Sequence, residues 1–407
     1  MSKTKAKSTR RKPKQARGAV VTEVMVILLF AVIALIVAIR LFYQPPQVDD
    51  SLPFDTDPVV TTGHLPQTNE RGETIDPPAV PVGPSGGSDP VEYIRREGVY
   101  NFLIAGHDRI AVNTDVLIVA SFDTKNNALN LVQIPRDTYA DYTTAAYRKI
   151  NGALSVYLNE TYYDYDKSMS MLMDFLMKNL NIKLDYYALI DLDILREMVD
   201  AIGGVYLNVP ADMDSVDPTP GSGYEIHLKA GPQLLNGEQA EQFVRFRYGY
   251  VTADIGRNDA QKIFMAAFLQ QYKKNLNLST LTKTVESMIK HVTTNLSVAD
   301  CVFFAKEALE LDMSKVIMVN MPGSDVREKE GLGQWYFVLS RVGALDVVNR
   351  YLNVYTVDIA DSIFDRSFSF SKESDAAFTA IYNSTIKIAN EYNAEDVNQD
   401  GIYIPRT

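Results

Sequence analysis

The segment 100–134, YNFLIAGHDRIAVNTDVLIVASFDTKNNALNLVQI, contains three apolar runs separated by short polar connections. Such runs, rich in Val, Ile, Leu and Phe and bounded by Gly, Asn and Asp, are typical of buried β-strands. We predict strands over Tyr100–Ala105, Asp115–Phe122 and Ala128–Ile134, with a turn at Lys125–Asn127 joining the last two. These strands begin the folded part of the chain, which starts at about Tyr93.

Helical and strand patterns alternate after this segment. Helices are predicted over Asn151–Tyr157, Lys167–Leu180, Ile194–Ala201, Gly237–Phe243, Arg257–Lys274, Leu281–His291 and Val298–Leu309, and further strands over Tyr186–Ile190, Val205–Val209 and Val316–Asn320. Helices interleaved with hairpins and single strands predict an α/β protein, a three-layer α/β/α sandwich with a central mixed sheet.

The first 43 residues have the pattern of a membrane anchor. Residues 1–18 are basic and polar, whereas residues 19–43 are largely apolar, with no charge between Val24 and Ile39. The apolar length suits a tilted transmembrane helix, and no small-residue cleavage pattern follows it, which favours a signal anchor over a cleaved signal peptide. Because eight cationic residues precede the helix, we predict a single-pass protein of the cell membrane with a cytoplasmic N-terminus.

The part outside the membrane is predicted to have three regions. Residues 44–92 hold ten of the eighteen prolines, so we expect an extended linker rather than a packed domain. Residues 93–352 carry the alternating strands and helices of the main domain. Residues 353–407 are expected to form a less regular C-terminal appendage.

Charge is distributed unevenly and excludes one class of partner. The whole chain carries −11 and residues 1–43 carry +8, which leaves −19 on the remainder. Generic binding of nucleic acid needs a broad basic surface, so we expect no nucleic-acid partner. The single cysteine, Cys301, excludes an intrachain disulfide and a cysteine-based metal site. An anion would have to be bound by a local cluster of cations.

Such a cluster occurs in the segment Phe243–Gln261, FVRFRYGYVTADIGRNDAQ. Arg245 and Arg247 are two residues apart, so on an extended segment both would point to one face. Arg257 and Gln261 are four apart, which places them on one face of a predicted helix. Because guanidinium groups bind phosphate or carboxylate through several fixed donors, we predict a site for an anion of more than one charge. A solvated charged face is the alternative.

Two aspartates and two further cations lie near predicted strand ends and helix starts. Asp108 follows the first strand and Asp115 opens the second, and carboxylates from neighbouring strands can hold a divalent cation together with phosphate oxygens. Arg136 follows the third strand, and Lys149 precedes a helix start, where backbone donors also favour an anion. For either aspartate alone, a capping or turn role is the alternative.

A series of motifs resembles, in order, that of the LytR-CpsA-Psr family. The motifs are NFLIAGHD, NTDVLIVASFD, LVQIPRDTY, KINGA, VDAIGGVYLNVP, LKAGPQLLNGEQAEQFVRFR and ADIGR. Members of this family are similar to phosphotransferases that move a glycopolymer from a polyprenyl-pyrophosphate carrier onto peptidoglycan with a divalent metal, usually magnesium. The resemblance implies an α/β/α sandwich with an apolar cavity for lipid.

The resemblance also implies roles for individual residues. The metal-binding carboxylates for Mg²⁺ (or Mn²⁺) correspond to Asp108 and Asp115, the pyrophosphate-contacting catalytic arginines to Arg136, Arg245, Arg247 and Arg257, and further substrate-binding positions to Lys149 and Gln261. One position departs from the family pattern. Asn113 stands where the family usually has an arginine, and Arg109 is the candidate to replace it in binding the substrate.

These observations lead to an expected function. We expect a metal-dependent phosphotransferase, anchored in the membrane of a Gram-positive-type envelope, that attaches teichoic acid or a capsule or wall polysaccharide to peptidoglycan. Two alternatives stay open: a polyprenyl-pyrophosphate hydrolase, and a non-catalytic protein that binds the lipid carrier or the wall polymer. The general base is also open, with Asp108, Asp137, Asp254 and a metal-bound hydroxide as candidates.

Overall fold

The computed structural model describes residues 45–54, 67–68, 74–75, 92–107, 113–143, 148–216, 225–246, 253–275, 280, 292–329, 333–367, 370, 375–386 and 391–394. Contacts divide the chain into residues 1–46, of which Pro45 and Pro46 are described, and residues 47–407. Within the described ranges no helix has the length and apolar character needed to cross a bilayer. The anchor predicted at residues 19–43 lies outside these ranges.

Strands and helices alternate along the second of these units. The strands are β1 Gln67–Thr68, β2 Thr74–Ile75, β3 Val99–His107, β4 Thr114–Asp123, β5 Ala128–Gln133, β6 Tyr186–Asp191, β7 Val205–Val209, β8 Met213–Val216, β9 Glu225–Leu228, β10 Gly231–Leu235, β11 Thr293–Thr294, β12 Val316–Asn320, β13 Gly323–Arg327, β14 Trp335–Leu339 and β15 Glu391–Asn393. The α-helices are α1 Ala153–Glu160, α2 Tyr165–Leu180, α3 Leu192–Ala201, α4 Gly237–Arg245, α5 Ala253–Asn275, α6 Val298–Glu307, α7 Arg341–Val347, α8 Asp361–Ser367 and α9 Ala376–Tyr382.

A mixed sheet with the strand order β11-β6-β3-β4-β5-β12-β15 forms the centre of the fold. β4 is antiparallel to both β3 and β5, whereas β6 is parallel to β3 and β12 is parallel to β5. The ends of β3, β5, β6 and β12 and the start of β4 therefore meet at one edge of the sheet, called the upper edge below. The predicted α/β fold with a central mixed sheet is confirmed.

Different helices cover the two faces of this sheet. On one face, Leu103 and Leu117 are fully buried in the main core with residues of α1 and α2 such as Leu172. On the other face, the ring centroid of Phe304 from α6 lies 4.8 Å from that of Phe102. Neighbouring residues of a strand point to opposite faces, and burying each large apolar side chain stabilises the fold by about 1.5–3 kcal/mol. The alternation of apolar residues in β3 thus stabilises packing on both sides.

The segment 47–54, called the strap below, lies in the stretch predicted as a linker but packs on the domain. Leu52 and Phe54 contact the main core, and the ring centroid of Phe54 lies 5.2 Å from that of Tyr93. Lys183, which is buried, donates from Nζ to Asp49 Oδ2 at 2.8 Å. Residues 47–54 are therefore held to the domain by both apolar and ionic contacts.

The C-terminal region is also more integrated than the sequence predicted. Phe364 and Phe370 belong to the main core, and β15 pairs with β12 at the end of the central sheet. The predicted helix Leu281–His291 lies outside the described residues. The hairpins β8–β9 and β13–β14 were not predicted, because strands of only four or five residues are too short to give a clear periodic signal.

Candidate active site

The upper edge of the sheet brings Asp115 and Arg136 together. Asp115 is the second residue of β4, and Arg136 follows the end of β5. The turn between these antiparallel strands lies at the opposite edge, so the start of one strand and the end of the other become neighbours. Arg136 Nη1 donates to Asp115 Oδ1 at 2.8 Å, and the two side chains are 20% and 36% exposed. Asp115 and Arg136, which the sequence placed in the site on separate motifs, are thus ion-pair partners at the upper edge, although their pairing was not predicted.

A second ion pair lies directly beside the first. Lys149 Nζ donates to Asp137 Oδ1 at 2.8 Å, and Arg136 Nε lies 3.8 Å from Asp137 Oδ2. Lys149 is the N-cap residue of a short 3₁₀ turn, Ile150–Gly152, that leads into α1. The backbone of Ile150 donates to Thr138 O at 2.8 Å, which fixes this turn against the segment that carries Asp137. Two cations and two carboxylates thus alternate along the edge.

Gln261 of α5 makes two hydrogen bonds at the upper edge. Its Oε1 accepts a hydrogen bond from Gln133 Nε2 at 3.1 Å, and its Nε2 donates to the carbonyl oxygen of Val244 at 3.3 Å. The first bond ties α5 to the last residue of β5, and the second ties it to the end of α4. The predicted substrate-binding glutamine therefore positions two helices at the upper edge.

The backbone conformation at Arg245 differs from the extended one that the sequence predicted. It is the last residue of α4, so the prediction of an extended segment at Arg245 is wrong, and Phe246 is the first extended residue. The capping box at Asn236 and Gln239 begins this helix, and its apolar face buries Phe243. Helical geometry directs Arg245 back toward the preceding turn of α4.

That preceding turn supplies a residue which the sequence reasoning missed. Glu241 is only 2% exposed, and its Oε1 accepts from Arg245 Nη1 at 3.0 Å. Its Oε2 accepts a short hydrogen bond from Arg196 of α3. The i, i+4 spacing of Glu241 and Arg245 in a helix is a signal that could have identified the first pair. The contact with Arg196 depends on how α3 packs on α4.

The remaining predicted site residues are described incompletely or not at all. Asp108, Arg109 and Arg247 lie outside the described residues. Arg257 lies in α5 one turn before Gln261, as predicted, although its side chain is not described. Asn113 directly precedes β4 and is half-buried. Among the described residues, no group of three or more His, Cys, Asp or Glu side chains has a metal-binding arrangement.

Comparison with known proteins assigns the chain to a family. A sequence model of the LytR_cpsA_psr family matches residues 79–351, so the chain belongs to this family. It is 29% identical over 216 residues to the polyisoprenyl-teichoic acid–peptidoglycan teichoic acid transferase TagV of Bacillus subtilis, a match that covers 52% of each chain. It is 26% identical over 271 residues to a transferase of the same description, TagU of Bacillus cereus, covering 65% of this chain and 82% of that one.

A solved structure has the same fold. The crystal structure of B. subtilis TagV superposes with a TM-score of 0.51 at 23% identity, covering 68% of this chain and all of that chain. This likeness supports the fold alone. The chain spans about half the length of this TagV relative in the sequence match.

Proposed function

We propose that this protein is a phosphotransferase that moves a glycopolymer, such as a teichoic acid, from a polyprenyl-pyrophosphate carrier to peptidoglycan. The observation that carries the proposal is the pair of cations Arg136 and Lys149, held by two carboxylates at the upper edge of the sheet. Arg245 lies at the end of α4, which Gln261 ties to the end of β5. Family membership and the transferase names of the relatives support the same reaction. The motifs that define the family include Arg136, Lys149 and Arg245.

The residue types suit cleavage of a pyrophosphate. An acceptor sugar hydroxyl attacks the phosphorus that bears the glycopolymer, a new P–O bond forms, and the bridging P–O bond breaks to release polyprenyl phosphate. The hydroxyl proton passes to a general base. Among the candidate aspartates, Asp137 is the one whose side chain the structure describes. Such a transition state carries charge mainly on phosphate oxygens, so cations held in fixed positions supply much of the stabilisation.

The ion pairs at the edge explain how these cations stay in place before substrate binds. Arg136 is oriented by Asp115, Lys149 by Asp137, and each pair is partly exposed. A planar guanidinium has five donors, so Arg136 can keep its bond to Asp115 while other donors bind phosphate. The carboxylates therefore act as positioning groups for the cations.

We also propose that Asp115, together with Asp108, holds Mg²⁺ or Mn²⁺. The Asp115 carboxylate is about one-third exposed at the cleft and offers the hard oxygen ligands that these ions prefer. When bound, the metal would neutralise charge on the pyrophosphate oxygens. Chelation by EDTA is expected to abolish transfer, and added Mg²⁺ is expected to restore it.

We further propose that the domain works outside the cell membrane of a Gram-positive-type envelope, anchored by a single helix at residues 19–43. The sequence of this stretch and the basic residues before it support the topology. The substrate is itself a membrane lipid, so an anchored enzyme meets it within the same surface. Protease access to intact protoplasts, compared with lysed ones, tests which side carries the domain.

The function is tested with full-length protein, a polyprenyl-pyrophosphate-linked glycopolymer and peptidoglycan. Arg136→Ala is expected to lower the transfer rate by about 10²–10³-fold, because one oriented donor to the transition state is lost. Arg350→Ala removes an exposed arginine that pairs with Asp346 on the surface and serves as the matched control. Full transfer by Arg136→Ala would contradict the site.

Product analysis separates this function from its two alternatives. A hydrolase would release the free phosphorylated polymer at the same rate with and without peptidoglycan. A binding protein would retain the lipid-linked polymer without turnover, and Asn113→Arg would then be expected to restore activity. The proposed transferase gives polymer covalently attached to peptidoglycan.

A further inference from the structure

The hairpin β13–β14 stands directly beside the candidate active site. The backbone N–H of Phe337 donates to Asp137 O, and the N–H of Tyr139 donates to Phe337 O, both at 2.9 Å. These bonds attach β14 to the segment that follows Arg136. The hairpin is therefore held at a fixed position relative to the two ion pairs of the upper edge.

The two faces of this hairpin differ in composition. On the inner face, Tyr336 is 1% exposed, its ring centroid lies 5.4 Å from that of Tyr139 and 5.8 Å from that of Phe378, and Lys149 Nζ lies 5.9 Å from its ring centre. Trp335 points to the opposite face and is 58% exposed. An indole of this size, left in solvent on a well-anchored strand, is not needed for packing.

The outer face also carries polar partners for this indole. Arg327 is the cross-strand partner of Trp335, and Asp325 is the partner of Phe337. Both polar residues are exposed, and residues directly opposite in an antiparallel pair lie on the same face. We call the exposed set of Trp335, Asp325 and Arg327 the Trp335 face, whereas Phe337 on the same side of β14 packs against the main core. The Trp335 face combines an aromatic surface with one carboxylate and one guanidinium.

We propose that the Trp335 face binds sugar rings of the acceptor, the glycan backbone of peptidoglycan. The electron-rich face of an indole packs against the C–H groups of a pyranose ring, while a carboxylate and a guanidinium can bind its hydroxyls in pairs. The inference rests on the proposed function, which requires an acceptor hydroxyl at the site. Because β14 is hydrogen-bonded to the backbone of Asp137 and Tyr139, a glycan on this face would lie next to the segment that carries Asp137.

Charge favours the acceptor over the donor polymer as the occupant. The face carries one positive and one negative side chain, and the chain beyond residue 43 is strongly acidic. A polyphosphate polymer such as a teichoic acid would be repelled by the acidic chain as a whole, whereas acetylated amino-sugar rings are neutral and only their lactyl or peptide substituents are charged. The cations that suit a phosphate lie on the other side of Asp137, at Arg136 and Lys149.

The sequence offers a direct probe of this face, because Trp335 is the only tryptophan. The full-length chain is titrated with soluble glycan strands released from peptidoglycan and, separately, with free teichoic acid. We expect a saturable change of tryptophan fluorescence with the glycan strands and none with the teichoic acid. Unchanged fluorescence with the glycan, or a response to teichoic acid alone, would overturn the proposal.

Variants test the contact without relying on fluorescence. In calorimetric titration with the same glycan strands, Trp335→Ala is expected to bind about tenfold more weakly, as for a central aromatic contact, and Trp335→Phe is expected to bind with intermediate affinity. Tyr162→Ala, which removes another exposed aromatic side chain, is the control and should bind normally. Equal affinity of wild type and Trp335→Ala would refute the assignment.

Kinetics distinguish this inference from the proposed function. In transfer assays, Trp335→Ala should raise the half-saturating concentration of peptidoglycan by about tenfold while leaving that of the lipid-linked donor unchanged. If the protein shows no transfer at all, the proposed function fails, and the two binding experiments still decide whether the Trp335 face binds glycan. If transfer occurs with an unchanged peptidoglycan dependence, only the glycan site fails.

Discussion

The upper edge of the central sheet and the opposite one, called the lower edge below, carry ion pairs that differ in burial and in the number of hydrogen bonds. At the lower edge, Arg95 donates from Nη1 and Nη2 to the two oxygens of Asp185 at 2.9 and 2.6 Å, and the side chains are only 9% and 1% exposed. The backbone N–H of Asn101 also donates to Asp185 at 2.9 Å. At the upper edge, Arg136 and Asp115 share one hydrogen bond and are 20% and 36% exposed.

This difference in exposure fits a structural role for the lower pair and the binding role proposed for the upper pairs. Burial opposes the charge of Arg95, but its hydrogen bonds and Coulomb attraction to Asp185 outweigh that effect and raise the pKa of Arg95. Arg95 and Asp185 form two hydrogen bonds with each other and are almost completely buried, so a ligand in solvent cannot readily contact this pair. The upper pairs are partly exposed, and accessible donors are what the proposed contact with a phosphate requires.

The largest expected effect on stability comes from breaking the lower pair. Asp185→Asn removes the buried carboxylate that pairs with Arg95 and leaves only the exposed Asp50, 3.8 Å from Arg95 Nε. We therefore expect the free energy of unfolding to fall by about 3 kcal/mol, measured by urea denaturation. The surface substitution Asp346→Asn, which separates an exposed pair with Arg350, should change it by less than about 1 kcal/mol.

A double variant sharpens this prediction. In Arg95→Met/Asp185→Leu both charges are absent, and most of the lost stability should return because no unpaired charge remains. If Asp185→Asn is as stable as wild type, the buried lower pair does not stabilise the fold, and the structural role assigned to it is wrong.

A smaller effect is expected at Glu241, which combines features of both edges. This carboxylate is buried like Asp185, yet it orients the partly exposed Arg245 and Arg196. Glu241→Leu should keep the helix packing but release Arg245, so we expect transfer to fall by about tenfold, with a higher half-saturating donor concentration. Glu241→Gln should retain part of the activity through its amide oxygen.

The control for this variant is the stability of the fold. If urea denaturation shows Glu241→Leu to be as stable as wild type while transfer falls, Glu241 acts as a positioning residue. Wild-type transfer by Glu241→Leu would show that Arg245 needs no partner in α4.

The smallest expected effect is a weaker attachment of the strap, residues 47–54, to the domain in acid. The hydrogen bond from Lys183, and next that from Ser51, holds the pKa of Asp49 well below its usual range. A depressed carboxyl pKa gives stability that is present above the unfolded-state value of about 4 and is lost as pH falls below it. We therefore expect the protection of the amide hydrogens of residues 47–54, relative to intrinsic exchange at the same pH, to be lower in acid than at pH 7.

Asp49→Asn tests the cause of this pH dependence. In this variant the amide hydrogens of the strap should exchange at a rate that no longer changes between neutral and acidic pH, after correction for intrinsic exchange. The same acid-induced loss of protection in Asp49→Asn and wild type would assign the effect to another group.

An open groove of about 770 Å³, lined by Asp49, Phe54 and Lys183 among others, lies at the strap and should widen in acid.

The amino-acid sequence was sufficient for the features that depend on local pattern. The apolar runs of β3, β4 and β5 predicted the central strands, because an alternating or continuous apolar run has few other stable conformations. The motifs around Asp115, Arg136, Lys149 and Gln261 predicted a shared site. Strand order and direction then explain why residues up to 146 positions apart in sequence, Asp115 and Gln261, lie at one edge.

Only the tertiary structure determined the partners of these residues. The pairing of Glu241 with Arg196, the attachment of Trp335 beside Asp137, and the packing of the strap on Lys183 all join distant segments. Local propensity contains no information about such contacts, because each depends on how whole helices and strands pack. The sequence thus determined which residues carry the charges of this protein, and the tertiary structure decided which charges are buried and which can reach a substrate.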